Sequence, residues 1–192
     1  MLIALATCRR LPEPDPDQPL LLAALRAAGA EVEMVAWDDP AADPARFDLC
    51  VLRSTWNYYE RLDAFTAWLT RAAGATRLAN PLEVVRWNLH KGYLLELESQ
   101  AGLPIVPTRI VRRGEAQAEN STESALAMVR ATGWFDVIIK PAISAGSWRT
   151  RRFVLGEPES SSRSASAPEF LAGLAADGDA LIQPYLRSVE SG

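Results

Sequence analysis

Short apolar runs alternate with helix-like runs through the first eighty residues, and that alternation leaves few ways for the chain to fold. Leu2 to Thr7 reads as a strand, broken by the proline-rich loop Leu11 to Asp17. Pro19 to Ala28 is dense in Leu and Ala, and Gly29 follows in the position just past a helix end. Glu31 to Ala36 alternates polar and apolar as a half-buried strand does, whereas Asp48 to Arg53 (DLCVLR) is nearly continuous and apolar, the pattern of a fully buried parallel strand. From Tyr59 to Ala73, residues Leu62, Phe65, Trp68, Leu69 and Ala72 recur at helical spacing, and Gly74 closes the run. Parallel strands need a crossover between them, so the pattern predicts a small doubly wound parallel sheet.

A second section follows Asn80-Pro81. It begins with a short helix, Pro81 to Trp87, and then a longer one, Leu89 to Ala101, that Asn88 can cap and Gly102 ends. Next come a strand at Pro104 to Val111, a helix at Thr122 to Thr132 capped by Ser121, and a buried strand at Asp136 to Lys140 (DVIIK). A further strand, Ser147 to Leu155, pairs with it through a tight loop. Gly156 to Pro168 is rich in serine and has the composition of a mobile hairpin tip. A helix, Pro168 to Ala176, and a strand, Ala180 to Leu186, end the pattern.

Several function classes are disfavoured. The net charge is -4 with both signs interspersed, so there is no basic block for nucleic acid, and no apolar run is long enough to span a membrane. The apolar start has no basic residue before it and Arg9-Arg10 directly after it, the wrong order for a signal peptide. Two cysteines and one histidine are too few for a zinc site, and Cys8 and Cys50 read as buried, inert thiols. A cytoplasmic location fits this set best.

The chemistry concentrates in the second half. Lys140 stands at a strand end, followed by Pro141 and the small-residue turn Ala142-Ile143-Ser144-Ala145-Gly146-Ser147. Small side chains leave backbone N–H groups open to an anion, and a lysine beside them adds a point charge. A solvated lysine before an ordinary hairpin is the competing reading. Lys91 and Lys140 are the only lysines among 20 basic residues. A compact ammonium suits a phosphate, and arginine does not replace it freely, although an arginine-rich genome would produce the same bias. Downstream, the strand ending in Gln183-Pro184-Tyr185-Leu186 exposes backbone able to read an adenine edge, and Glu190 could accept from ribose hydroxyls.

Taken in order, these residues resemble the ATP-grasp superfamily. The stretches RSTWNYY (53–59), NPLEVVRWNLHKGYLLEL (80–97) and IIKPAISAGSWRTRRF (138–153) look like its glutathione-synthetase-like subgroup, which includes the cyclo-ligase of D-cycloserine biosynthesis. The resemblance implies a Rossmann-like substrate domain over 1–86, an ATP-grasp N-terminal subdomain with its linker helix over 87–183, and the start of a C-terminal subdomain over 184–192. It also implies an ATP-dependent ligase that activates a carboxylate as an acylphosphate for attack by an amine or similar nucleophile. Residue by residue, Lys91 and Lys140 match the lysines on the α- and β-phosphates. Ser144, Ala145, Gly146 and Ser147 match the loop over the β- and γ-phosphates; Gln183, Tyr185 and Leu186 match the adenine hinge, and Glu190 the ribose acid.

Other side chains keep two readings. As strand residues, Arg149 and Arg151 would share one face and Arg152 the other, so Arg151 or Arg149 either meets phosphate or substrate carboxylate in catalysis or lines an exposed strand. Arg53, Ser54, Thr55 and Trp56 follow a buried parallel strand, where open sheets bind ligands, and either hold substrate or form a capped turn over Trp56. Trp68 and Trp87 read as core, and His90 as a solvated or hydrogen-bonded helix residue rather than a base.

The family carries its Mg²⁺ ligands past the ribose acid, so the ligands are expected beyond residue 192 and no metal ligand is assigned in this chain. The expectation is a part of a longer enzyme; the alternative is a non-catalytic nucleotide-binding or interaction module. A small-molecule carboxylate, such as an amino acid derivative, is the expected partner, and relatives of this kind are often homo-oligomers. An unrelated Rossmann-like domain is the third reading, but it gives no account of the second half.

Overall fold

The structure, a computed structural model, describes residues 1–115, 121–156 and 166–191. The chain divides into two compact units, Met1–Leu89 and His90–Gly192.

The first unit is a four-stranded parallel sheet. Its strands are β1 (Leu2–Thr7), β2 (Glu31–Ala36), β3 (Leu49–Ser54) and β4 (Arg77–Ala79), in the spatial order β2-β1-β3-β4. Helices α1 (Gln18–Ala27), α2 (Leu62–Ala75) and α3 (Leu82–Leu89) complete it. The predicted periodicity of α2 is realised: Phe65, Trp68, Leu69 and Ala72 are all buried, against Ala4, Ala6 and Cys50 of the sheet. Phe65 anchors an aromatic cluster, edge-on to Trp37 at 5.0 Å and stacked on Trp68 at 5.8 Å. Gly74 does not end α2, which runs one residue further to Ala75 and is capped by Thr76. Nor is Trp87 in the core: it is 40% exposed, because α3 turns Val85 inward instead. Cys8 and Cys50 are buried and unpaired, and burial pushes the Cys50 thiol up to about 11. β3 is the inner strand expected, yet only Cys50 and Ser54 on it are fully buried.

The second unit is an antiparallel sheet with helices. It contains α4 (Tyr93–Ala101), β5 (Arg109–Val111), α5 (Ser121–Ala131), β6 (Asp136–Pro141), β7 (Arg151–Val154), α6 (Ala167–Asp177) and β8 (Ala180–Pro184), with strand order β5-β8-β6-β7. Side chains alternate across each strand, so the register sorts them onto two faces. Val111, Val137, Ile139, Phe153 and Ile182 meet Leu126 and Val129 of α5 and Leu171 and Leu174 of α6 in one core. Lys140, Ile138, Arg152, Leu181 and Gln183 belong to the other face. α6 starts with a capping box between Ser166 and Glu169. α5 begins at Ser121 itself rather than after it, and most of the hairpin tip expected at 156–168 lies outside the described residues.

Three predicted boundaries fail for local reasons. β5 is only three residues long, its proline-rich approach staying out of the ladder. β7 begins at Arg151 rather than Ser147, because Gly146, Ser147 and Arg149 all have positive φ (56°, 58° and 48°) and cannot extend a strand. The helix expected from Leu89 to Ala101 is interrupted at His90-Lys91-Gly92, and α4 starts only at Tyr93.

Candidate phosphate and substrate sites

Within the second unit, Lys91 sits in the break between α3 and α4 rather than on a helix. Its backbone N–H donates to the Ala142 carbonyl at 2.9 Å. Its ammonium donates to the Ser144 carbonyl at 2.7 Å and to the Ser144 hydroxyl at 3.2 Å. The small-residue turn after β6 and the lysine upstream are therefore joined. Ser144 is buried, while Gly146 and Ser147 are exposed. Trp148 N–H closes the turn on the Ala145 carbonyl at 3.0 Å.

Lys140 lies near the end of β6, on the sheet face turned away from α5 and α6. Neither lysine takes part in an ion pair among the described residues. Burial, and then the charge of Lys140, bring Lys91 down from 10.5 to about 8. Burial also lowers Lys140. Two half-buried ammoniums that feel each other's charge, neither ion-paired among the described residues, make the spot electropositive and suited to an anion.

The predicted hinge is partly occupied by the fold itself. The Gln183 amide donates to Thr108 Oγ1 at 2.8 Å, and Tyr185 N–H donates to the Asp136 carbonyl at 2.8 Å. Leu186 is exposed. Glu190 accepts from Arg152 at 3.1 Å. The same guanidinium binds Asp136 through two parallel hydrogen bonds, at 2.8 and 2.7 Å, and lies 3.7 Å over the Tyr185 ring. The Arg152 bonds hold the Asp136 carboxyl below its usual range.

Arg149 and Arg151 do not share a face. Arg149 is off the strand in a left-handed turn and binds Asp177 and the Gly173 carbonyl on α6. Arg151 turns toward the helix side and stacks over Phe153 and Phe170. Arg152 shares the face of Lys140 instead. A left-handed Arg149 breaks the alternation on which the pairing of Arg149 with Arg151 depended.

In the first unit, the carboxyl ends of β1 and β3 carry the other predicted group. Ser54 is fully buried, and its hydroxyl donates to Thr7 Oγ1 at 3.0 Å, so it is structural. Thr55 begins a turn by accepting from Tyr58 N–H at 3.1 Å, and Trp56 is half-buried beside it. Arg53 reaches Asp15 at 2.9 Å and Asp17 at 3.2 Å. Asp15 is 6% exposed, and its second oxygen is buried with no partner among the described residues. Asp38 accepts from Arg9 N–H, Asn57 and Arg61.

Comparison with known proteins adds to this picture. Residues 3–80 match the family model of the N-terminal domain of D-cycloserine synthetase DcsG. The cycloserine biosynthesis protein DcsG of Streptomyces lavendulae is 33% identical over 177 residues, 92% of this chain and 56% of that protein. The crystal structure of D-cycloserine synthetase DcsG superposes with a TM-score of 0.84 at 34% identity, over 98% of this chain and 61% of that one. A RimK domain ATP-grasp protein of Sphaerobacter thermophilus shares the fold at 19% identity, with a TM-score of 0.65 over 97% of this chain and 64% of its own. This chain is an ATP-grasp relative of D-cycloserine synthetase.

The ATP-grasp chain thus spans about three fifths of the length of these relatives. Its α/β architecture, a parallel sheet followed by an antiparallel one, is the fold expected from the sequence. Of the residues singled out in the sequence, the structure joins Lys91 with Ser144 and ties Glu190 to the face of Lys140. It separates Arg149 from Arg151. Asp179 and Asp136 carry no signal in the sequence, nor do Asp15 and Asp38, whereas His90 reads there as a hydrogen-bonded or solvated residue and Arg152 as lying on the opposite face from Arg151. The two acids of the first unit sit in loops that carry no periodic signal. Among the described residues no helix is long and apolar enough to cross a membrane.

Proposed function

We propose that this chain carries the substrate unit and the first half of the ATP site of an ATP-dependent ligase. In this reading the γ-phosphoryl group of ATP passes to an oxygen of a substrate carboxylate, and ADP leaves. An amine or similar nucleophile then attacks the acylphosphate carbon and expels phosphate. The observation that carries the reading is the pair of half-buried ammoniums, Lys91 and Lys140, beside the open turn 144–147. Phosphoryl transfer asks a protein mainly to position its reactants and neutralise charge, which such a pair supplies.

Lys91 and Lys140 hold the α- and β-phosphates, and Ser144, Ala145, Gly146 and Ser147 supply backbone N–H groups to the β- and γ-phosphates. The segment 183–186 meets adenine through its backbone, and Glu190 meets the ribose after exchanging its Arg152 contact. Arg152, on the face of Lys140, is better placed to meet the transferred group than Arg151 or Arg149. Arg53 and Asp15, with Thr55 and Trp56, contribute to a substrate pocket for an amino acid derivative, a class suggested by the names of two relatives, the cycloserine protein and D-alanyl-alanine synthetase A of Vibrio cholerae, the latter 13% identical. The functional domains divide near residue 86, the active form is a homo-oligomer, and its place is the cytoplasm. Mg²⁺ is usual for such enzymes. Among the described residues no group of three or more His, Cys, Asp or Glu could hold a metal ion, so these residues do not fit the ion and no step is assigned to it.

Calorimetry with ATP, with and without Mg²⁺, tests the reading on the chain and on Lys140→Ala. Loss of one charge-assisted phosphate contact should weaken binding about 10- to 100-fold. Equal affinity of the two folded proteins would remove Lys140 from the site, and no binding by the folded parent chain would count against the nucleotide reading itself.

A further inference from the structure

The turn that presents Lys91 is only three residues long, yet it is held from three directions. The His90 ring folds back on the turn, so that Nδ1 accepts the Gly92 N–H at 3.0 Å. That acceptor role leaves the ring proton on Nε2. Nε2 is buried and faces Asp179 Oδ2 at 3.2 Å, so that its N–H dipole lies beside the carboxylate without the alignment of a hydrogen bond. The Asp179 carboxylate is itself fixed by the Arg113 N–H and the Arg112 guanidinium, each at 2.8 Å.

The backbone closes the same circuit. The Asp179 carbonyl accepts from Ala142 N–H at 2.8 Å, and the Ala142 carbonyl accepts from Lys91 N–H at 2.9 Å. Asp179 thus holds the Lys91 turn twice, once through Ala142 and once through His90. Gly92 is the condition for the second route: a Cβ there would stand 2.7 Å from His90 Nδ1, closer than a side chain tolerates. The ring lies against bare backbone.

We propose that His90 is a positioning residue for the phosphate lysine: clamped between Gly92 N–H and the Asp179 carboxylate, it fixes the turn that holds the Lys91 ammonium on Ser144. This rests on the nucleotide reading for what Lys91 does, but not for how Lys91 is held. His90 touches neither Lys91 Nζ nor Ser144 among the contacts described, so its action is indirect.

The chain contains only two lysines, so the ε-methylene signals of Lys91 and Lys140 can be followed singly by NMR in the ligand-free protein. In the parent chain burial, and then the charge of Lys140 that faces it, bring Lys91 down to about 8. In folded His90→Ala and in Gly92→Ala, the Lys91 titration moves up toward 10.5 as the ammonium leaves its site. His90→Asn, whose Oδ1 can accept the same Gly92 N–H, restores part of the parent titration. If His90→Ala does not fold, the Gly92→Ala and His90→Asn chains carry the test. An unchanged Lys91 titration in the folded variants overturns the proposal.

ADP affinity supplies the second arm. His90→Ala should weaken ADP about tenfold in the parent background, and hardly at all once Lys91→Met is present, because two residues acting through one contact are not additive. Additive losses overturn the proposal. A parent chain that binds no ADP defeats the nucleotide reading instead, while the lysine titration still decides the role of His90.

Discussion

Replacing Lys91 with methionine should change how the stability of the chain depends on pH, in a direction opposite to that of most lysines. The Lys91 ammonium is half-buried, forms no ion pair among the described residues, and is brought from 10.5 down to about 8 by burial and then by Lys140. Between those two values the folded chain has released a proton that the unfolded chain still holds. Stability therefore rises with pH across that window, and the full penalty is present below pH 8. Complete linkage would amount to about 3.4 kcal/mol. The site is partly open to water, so screening reduces the expected effect to about 1–2 kcal/mol. Lys91→Met removes this penalty and also removes the two hydrogen bonds to Ser144. The bond loss adds an offset that changes little with pH, so the signature is a slope. The parent chain should gain about 1–2 kcal/mol on the variant between pH 7 and pH 10.5. Paired urea melts, each pair at one pH, would measure it, because tyrosine and cysteine titrations common to both proteins cancel. A difference that stays flat to within about 0.5 kcal/mol would refute the placement of a destabilised ammonium here.

Two further outcomes follow from the core of the first unit. Phe65→Ala removes a ring that is 1% exposed and in contact with Trp37 and Trp68; it should cost about 3–5 kcal/mol, seen as a lowered urea midpoint for that unit, and a loss under about 1 kcal/mol would contradict the packing. Cys50, 2% exposed and with its thiol near 11, should resist iodoacetamide at pH 8 until urea is added, so rapid alkylation of the native chain would show that β3 is not an inner strand.

The parallel sheet was legible because its signals are local and repeated. Each strand–helix pair carries its own apolar period, and Phe65, Trp68, Leu69 and Ala72 could be assigned to one face from spacing alone. The Lys91 turn was not legible for the opposite reason. Nothing in Leu89 to Ala101 breaks a helix except Gly92, a residue helices tolerate at modest cost. What breaks it is a backbone hydrogen bond from the Lys91 N–H to the Ala142 carbonyl, 51 positions away, and a partner at that separation leaves no trace in periodicity. The same holds for Arg149: its turn is stabilised by Asp177 and Gly173 of α6, so the strand pattern read from Ser147 onward gave the wrong face. The lysine pair itself was visible by rarity, whereas the bond from Lys91 to Ser144 left no signal beyond the small residues that let the two approach.

The scarcity of lysine has one more consequence. Every other basic side chain is arginine, so apart from the N-terminus the chain offers only two primary amines to an electrophile. Of these, Lys91 loses its proton most readily, and a free amine, not an ammonium, is what reacts. Between the two lysines, acylating or aldehyde reagents would therefore favour the one in the turn beside Ser144. Of the two, mild covalent damage would fall first on the one that is hydrogen-bonded to Ser144.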